Sequence, residues 1–191
     1  MWKMISRAFM LLIAFTLLTG MLYPLAVTGL AQLFFRNQAN GSLIRLNGRV
    51  VGSALIGQEF NSPQYFHGRP SAVQYNAIAS GGSNMAPTNR KLIQGIQEDI
   101  IRLRRENQLS AAQPVPADMV TTSASGLDPH ISPEGALLQA PRIAKARGLQ
   151  AGRVRQLVQK HIELPFLGVF GAHRVNVLKL NLALDALKSG R

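Results

Sequence analysis

The side chains able to do chemistry in this sequence are few and scattered. Its four histidines, His67, His130, His161 and His173, never fall at a ligand spacing such as i, i+4, and no cysteine lies beside them. A zinc site is therefore not expected. Asp128 and His130 flank Pro129, with Ser123 and Ser125 close by, so a serine triad can be drawn. No Gly-x-Ser-x-Gly elbow supports it, and Asp-Pro is a common turn opener. No Gly-rich loop ends in Gly-Lys-Ser/Thr, so there is no P-loop. Gly81-Gly82-Ser83-Asn84 offers at most a small nest of backbone N–H groups for an anion, against the plainer reading of a polar turn. The carboxylates are too dispersed for paired acid–base work or for an oxygen cage around a hard cation. No metal ligand set and no catalytic residue is assigned.

Whatever these residues do, one stretch organises the chain that holds them. Residues 8–35 read AFMLLIAFTLLTGMLYPLAVTGLAQLFF, without a charge. At about 1.5 Å per helical residue this exceeds the roughly 30 Å of hydrocarbon that a bilayer presents. In lipid every backbone group must be satisfied within the segment, so a helix is expected. A cleaved secretory signal is the rival reading, but its apolar region runs only about 7 to 15 residues. Residues 1–7 carry Lys3 and Arg7. Positive charge on so short a flank favours the cytoplasm, whereas a long domain crosses largely regardless of its charge. The expected organisation is a cytoplasmic tail at 1–7, a transmembrane helix at 8–35 and an extracytoplasmic domain at 36–191. Within the helix, Thr16, Gly20, Pro24 and Thr28 follow at i+4 steps and form a small-residue face suited to docking on another membrane helix. Pro24 lacks an N–H and crowds the carbonyl of Gly20, which predicts a kink.

Residues 36–191 suffice for one modest domain with its own core. The chain of 191 residues carries 21 Lys and Arg against 9 Asp and Glu, a net charge of +12. Beside a membrane, such a balance points to anionic headgroups or an acidic partner. The aromatic-interleaved basic surface of a strand-binding protein is missing, so nucleic acid is not expected.

Residues 42–46 and 49–56 flank Asn47-Gly48, the signature of a tight hairpin. Residues 59–88 sustain no apolar period and form a long loop, weighted by Tyr65, Phe66 and Tyr75. Thr88 or Asn89 caps a helix to Asn107 with Leu92, Ile93, Ile96, Ile100 and Leu103 as its buried stripe. Met119 to Ser123 reads as a short strand entering the loop SASGLDPHIS. Ser132 caps, Pro133 opens and Gly148 closes the next helix, with Pro141 a kink or break. A further helix covers Ala151 to Glu163, and the tail from Val177 favours another. The fold class is α+β.

Several segments carry a resemblance. GSALIGQEF (52–60), YFHGRPSAVQYNAIASGGSN (65–84), VTTSASGLDPHISPEGA (120–136) and VNVLKLNLALDAL (175–187), with YPLAVTG (23–29) in the apolar helix, resemble the KdpC subunits of high-affinity potassium-transporting P-type ATPases. The resemblance implies a non-catalytic subunit of the plasma (inner) membrane. Its implied partners are a channel-like potassium-translocating subunit, an ATP-hydrolysing P-type subunit and a small hydrophobic subunit. It also implies a role as catalytic chaperone, raising the ATP affinity of the hydrolysing subunit, with ATP and potassium acting in the complex. The residues agree in part, since one membrane helix cannot enclose a pore and no Asp-Lys-Thr-Gly phosphorylation motif is present.

The two irregular loops are the expected docking elements, because their composition is not explained by a core. Phe66, His67, Arg69, Tyr75 and Asn76 are candidates in the first, and Ser123, Ser125, Asp128 and His130 in the second. The competing reading has these loops packed internally. Gln58 and Gly81, Gly82, Ser83 and Asn84 are weaker candidates for direct nucleotide contact. Two other classes stay open: a membrane-anchored extracytoplasmic binding module for an anionic ligand, and a tethered hydrolase built on Asp128, His130 and a serine.

Overall fold

A computed structural model describes residues 1–189 of the chain, so the last two residues of the expected 36–191 domain lie outside the described residues. The chain forms two compact units, Met1–Ile44 and the portion from Arg45 onward.

The first unit is dominated by one helix, α1, running continuously over Trp2–Phe34 with none of its apolar window buried. It begins at Trp2, so it takes in Lys3 and Arg7, which were expected to precede it. The accommodation of Pro24 takes the form of a widened turn. α-Helical Trp2–Leu17 opens into a π turn at Leu18–Leu22 and closes again at Tyr23–Phe34. The proline supplies no N–H and its ring crowds the turn before it, which is where the ladder widens. The wider turn also helps align the small-residue face. In a plain α-helix four residues overshoot one turn by about 40°, and a turn with more residues takes up part of that overshoot between Thr16 and Pro24. All four residues of the face are exposed along the helix. A short helix, α2 (Arg36–Ala39), follows Phe35.

The predicted hairpin is present as β1 (Leu43–Leu46) and β2 (Arg49–Ser53). Asn47 and Gly48 both take positive φ, 49° and 78°, as the tight turn requires. From there to Asn89 the chain has no helix or strand. Helix α3 spans Arg90–Asn107, and Asn89 Oδ1 caps it by accepting from the Lys91 N–H at 2.9 Å. Of its expected stripe, Leu103 is buried and Ile96 and Ile100 pack on the core. Ile93, 45% exposed, does not.

The strand expected at Met119 to Ser123 is absent. Ala117–Met119 makes a single 3-10 turn, and Thr121 Oγ1 donates back to the Ala117 carbonyl at 2.7 Å. A local side-chain bond of this kind competes with extension. The unit instead holds a three-stranded antiparallel sheet in the order β3–β5–β4, from His130–Ile131, Arg174–Asn176 and Ile162–Glu163. Val175 of the central strand faces Ile131 on one side and Ile162 on the other.

Helix α4 spans Pro133–Arg147, with Ser132 Oγ accepting from the Gly135 N–H at 3.0 Å. It runs through Pro141 unbroken, held by the burial of Ala140 and Ile143 on either side of the proline. Helix α5 covers Ala151–Lys160, ending before the expected Glu163 because residues 162–163 join the sheet. Helix α6 covers Val177–Ser189. Ile131, Ile143, Val154, Val158, Val175, Leu180 and Leu184 form the centre of the core, with Phe66 contributed by the long loop. The α+β class holds.

Candidate functional site

The first long loop is gripped by polar side chains of two helices. Asn181, buried on α6 among leucines, pairs with both sides of Phe66. Its Oδ1 accepts the Phe66 N–H at 2.9 Å and its Nδ2 donates to the Phe66 carbonyl at 3.0 Å. Gln139 on α4 does the same for the next residue, accepting the His67 N–H at 2.8 Å and donating to its carbonyl at 3.2 Å. Arg142 donates to the carbonyls of Pro63 and Tyr65, and Arg147 to that of Gln64 at 2.7 Å. Arg147 also pairs with Asp185 at 2.8 Å and lies over the Tyr65 ring, 4.7 Å from its centre. A loop with no neighbouring strand thereby finds partners for backbone groups that could not be buried bare.

The two irregular loops then close on each other. Arg69 Nη1 meets Asp128 Oδ2 at 3.0 Å, and Tyr75 Oη donates to the Arg69 carbonyl at 2.6 Å. Ser71 Oγ donates to the Gly126 carbonyl at 2.6 Å. The Gly81 N–H and the Ser80 hydroxyl both donate to the Ser125 carbonyl, at 2.8 and 3.1 Å. Gly57, just after the β hairpin, donates to the Leu127 carbonyl at 2.7 Å.

A line of charges continues from this junction into the sheet. Asp128 Oδ1 accepts the His130 N–H at 2.9 Å and lies 3.5 Å from His130 Nδ1. His130 Nε2 faces Glu163 at 3.6 Å, and Glu163 binds Arg174 at 3.1 Å and Lys179 at 2.9 Å. Partial burial works against ionising Asp128, but hydrogen bonds from His130 and Arg69 outweigh it and hold the carboxyl below its usual range. Glu163 is likewise held low: burial opposes its charge, and Lys179 and Arg174 overcome it. Burial, reinforced by the Asp128 carboxylate, pushes the Tyr75 phenol up to about 12. His67 is pulled down, first by burial and then by the nearby Arg142 charge, although Glu106 lies 3.8 Å from its ring.

This geometry places each candidate. Phe66 is completely buried and Ser123 nearly so, so neither side chain can reach a partner. His67, Arg69, Tyr75, Asp128 and His130 are half-buried and engaged within the chain, whereas Asn76 and Ser125 are exposed. Both ring nitrogens of His130 face carboxylates, and no serine hydroxyl bonds to it among the described residues. The triad is therefore not assembled. The Gly81 N–H is engaged with Ser125 and is not open to an anion. Gln58 donates to the Val51 carbonyl at 2.9 Å.

Sequence reasoning missed Gln139, Arg142, Arg147 and Asn181, which hold the first loop, and Asn176, whose Nδ2 donates to the Ala54 carbonyl at 2.9 Å. The available signal was an amide inside an apolar helical run, as in LKLNLAL and ALLQA. It also missed the LPFLGVF segment, an apolar run that the fold leaves outside its core.

The family model for KdpC, the c chain of K+-transporting ATPase, matches residues 5–186. A potassium-transporting ATPase KdpC subunit of Rhodopseudomonas palustris is 54% identical over 97% of this chain and 98% of its own length. One from Polaromonas naphthalenivorans is 56% identical over 98% of this chain and 97% of its own. A third, from Mycobacterium tuberculosis, is 50% identical over 98% of this chain and 100% of its own. With most of the apolar helix, nearly all of the α+β unit and both resembling loops inside the matched region, the chain belongs to the KdpC family, the c chains of K+-transporting ATPases.

Proposed function

We propose that this chain is the non-catalytic accessory subunit of an ATP-driven potassium uptake complex. In this reading it stabilises assembly and, as a catalytic chaperone, raises the ATP affinity of the hydrolysing subunit. The observation that carries the reading is the family match across residues 5–186 of a chain with one long apolar helix among its described residues. One helix cannot enclose an ion path, so conduction falls to a channel-like partner and hydrolysis to a P-type partner, with a small hydrophobic subunit beside them. The helix crosses the plasma (inner) membrane with Lys3 and Arg7 on the cytoplasmic side, following the charge rule for short flanks.

A domain on the far side of the membrane cannot touch ATP bound in the cytoplasm. Its effect on nucleotide must pass through the partner's conformation: the subunit favours a state that binds ATP better, and ATP in turn tightens the subunit's docking. The clamped loops suit that role because a rigid surface discriminates between two partner conformations better than a compliant one. Asn76 and Ser125 are the contacting members, and Arg69, Tyr75, Asp128 and His130 hold the surface in shape. Thr16, Gly20, Pro24 and Thr28 form the membrane docking face.

Titrating the intact complex with a labelled ATP analogue, with and without this subunit, tests the reading. Coupling predicts an affinity difference of roughly 5–150-fold. Equal affinities would reject it. Nucleotide crosslinked to this chain in sealed, correctly oriented vesicles would replace coupling with direct contact.

A further inference from the structure

Between β4 and β5 the chain runs Leu164-Pro165-Phe166-Leu167-Gly168-Val169-Phe170. Its five large apolar side chains are between 65% and 77% exposed. Isolated exposed apolar residues need no explanation, but a contiguous group marks an interaction site. The backbone beneath them is nevertheless hydrogen-bonded to itself. Phe166 and Phe170 exchange both N–H···O bonds at 2.9 Å, and the Gly168 N–H closes on the Pro165 carbonyl at 3.0 Å. Leu167 adopts φ 54°, a left-handed conformation that a residue with a Cβ avoids, and it aims an exposed side chain outward. The tip is rooted in the sheet's central strand, whose Val175 is fully buried.

We infer that this hairpin tip is a docking plug, inserted into an apolar cleft on a membrane-embedded partner subunit, with Arg174 and Lys179 at its base meeting acidic groups on the cleft's rim. The inference rests on the assembly reading above and names the surface that carries it. Charge supports this occupant. Arg174 and Lys179, 52% and 46% exposed, share the single carboxylate of Glu163 and so leave net positive charge at the base. A cation-translocating partner concentrates carboxylates where ions enter.

The other occupants fit less well. Residues 164–172 contain no Trp or Tyr, the aromatic anchors of a membrane interface, and the cations at the base, Arg174 and Lys179, are both engaged by Glu163. A fixed backbone shape is an advantage in a shaped pocket, where it reduces the ordering cost of binding, and gains nothing in fluid lipid. A second copy is a like-charged partner, each chain carrying a net charge of +12.

The native chain has no cysteine, so a single labelling site is clean. Full-length chain bearing Leu167→Cys, carrying a benzophenone and assembled with its partners, should crosslink to a membrane-embedded partner subunit identified by mass. A water-soluble maleimide should modify Leu167→Cys at least about tenfold more slowly in the complex than in the isolated chain in detergent. Crosslinking only to lipid, crosslinking only to a second copy, or unchanged modification would overturn the plug. In parallel, Phe166→Ser combined with Phe170→Ser should leave the melting of the isolated chain unchanged and weaken assembly about tenfold or more, as loss of central apolar anchors does. Undiminished assembly of that variant would overturn the plug and leave the accessory role standing. Failure of the native chain to co-purify with any partner would overturn both.

Discussion

Asn181 stands in for a neighbouring strand beside Phe66. One carboxamide accepts the Phe66 N–H at 2.9 Å and donates to its carbonyl at 3.0 Å, with both residues buried. Phe66 fills the core from a loop, and it does so because this amide satisfies the backbone groups that enter with it. Asn181→Leu keeps the approximate volume and leaves two buried polar groups unpaired. Equilibrium unfolding of the detergent-solubilised chain should show a loss of about 2–4 kcal/mol. A change under 1 kcal/mol would mean that the loop does not depend on this clamp.

The Arg69–Asp128 pair joins the two loops at 3.0 Å, with about a quarter of each side chain exposed. Arg69→Ala should therefore cost the isolated chain about 1–2 kcal/mol, less than a fully buried pair because water screens part of it. A double-mutant cycle with Asp128→Asn should return a coupling of at least about 0.5 kcal/mol. Additive losses would show that the two residues act separately.

Gly57 is packed too closely for a side chain. A Cβ there would lie 2.6 Å from the Asp128 carbonyl oxygen and 2.8 Å from Tyr75 Cε1. Gly57→Ala must displace backbone of the second loop as well as the tyrosine ring, at a cost of about 1–3 kcal/mol. Faster amide exchange at residues 126–130 would report the displacement, and an unshifted melting temperature would argue against the close approach.

Acid should weaken the folded unit in two stages. The folded His67 has its pKa lowered from 6.5, so the unfolded chain takes up this proton first. Its contribution is present above pH 6.5 and is lost as pH falls through the folded value. Asp128 and Glu163 are also held below their ordinary values, 3.8 and 4.5, so their contributions disappear only at lower pH. Melting temperature should begin to decline as pH falls below 6.5 in the native chain. His67→Gln should flatten that upper stage while leaving the lower one. An identical slope in the variant would remove His67 from the account.

The elements that were legible early are those set by neighbours in sequence. Asn47-Gly48 specifies its turn through two positive φ values, Ser132-Pro133 opens α4, and Asn89 caps α3, each through contacts within a few residues. The strand expected near Met119 failed for want of anything beside it. β strength lies in the partner strand, and the pairing was made by residues 130–131, 162–163 and 174–176 instead. These segments are two or three residues long, too short to show a period. Pro141 does not break its helix for the opposite reason, since the buried neighbours Ala140 and Ile143 hold a helix that local chemistry would interrupt.

From its own order of residues this chain declares a bilayer-length apolar helix, a basic α+β unit and two irregular loops without an apolar period. Those properties depend on length, periodicity and charge, all of which are additive along the chain. Only the tertiary structure decided that Asn181, Gln139, Arg142 and Arg147 hold the first loop, that Arg69 closes on Asp128, and that Leu164–Phe170 stays uncovered. The residues concerned lie tens of positions apart in sequence. A hydrogen bond between Phe66 and Asn181 spans 115 residues, and no local pattern records which amide a backbone group will meet once the core has closed.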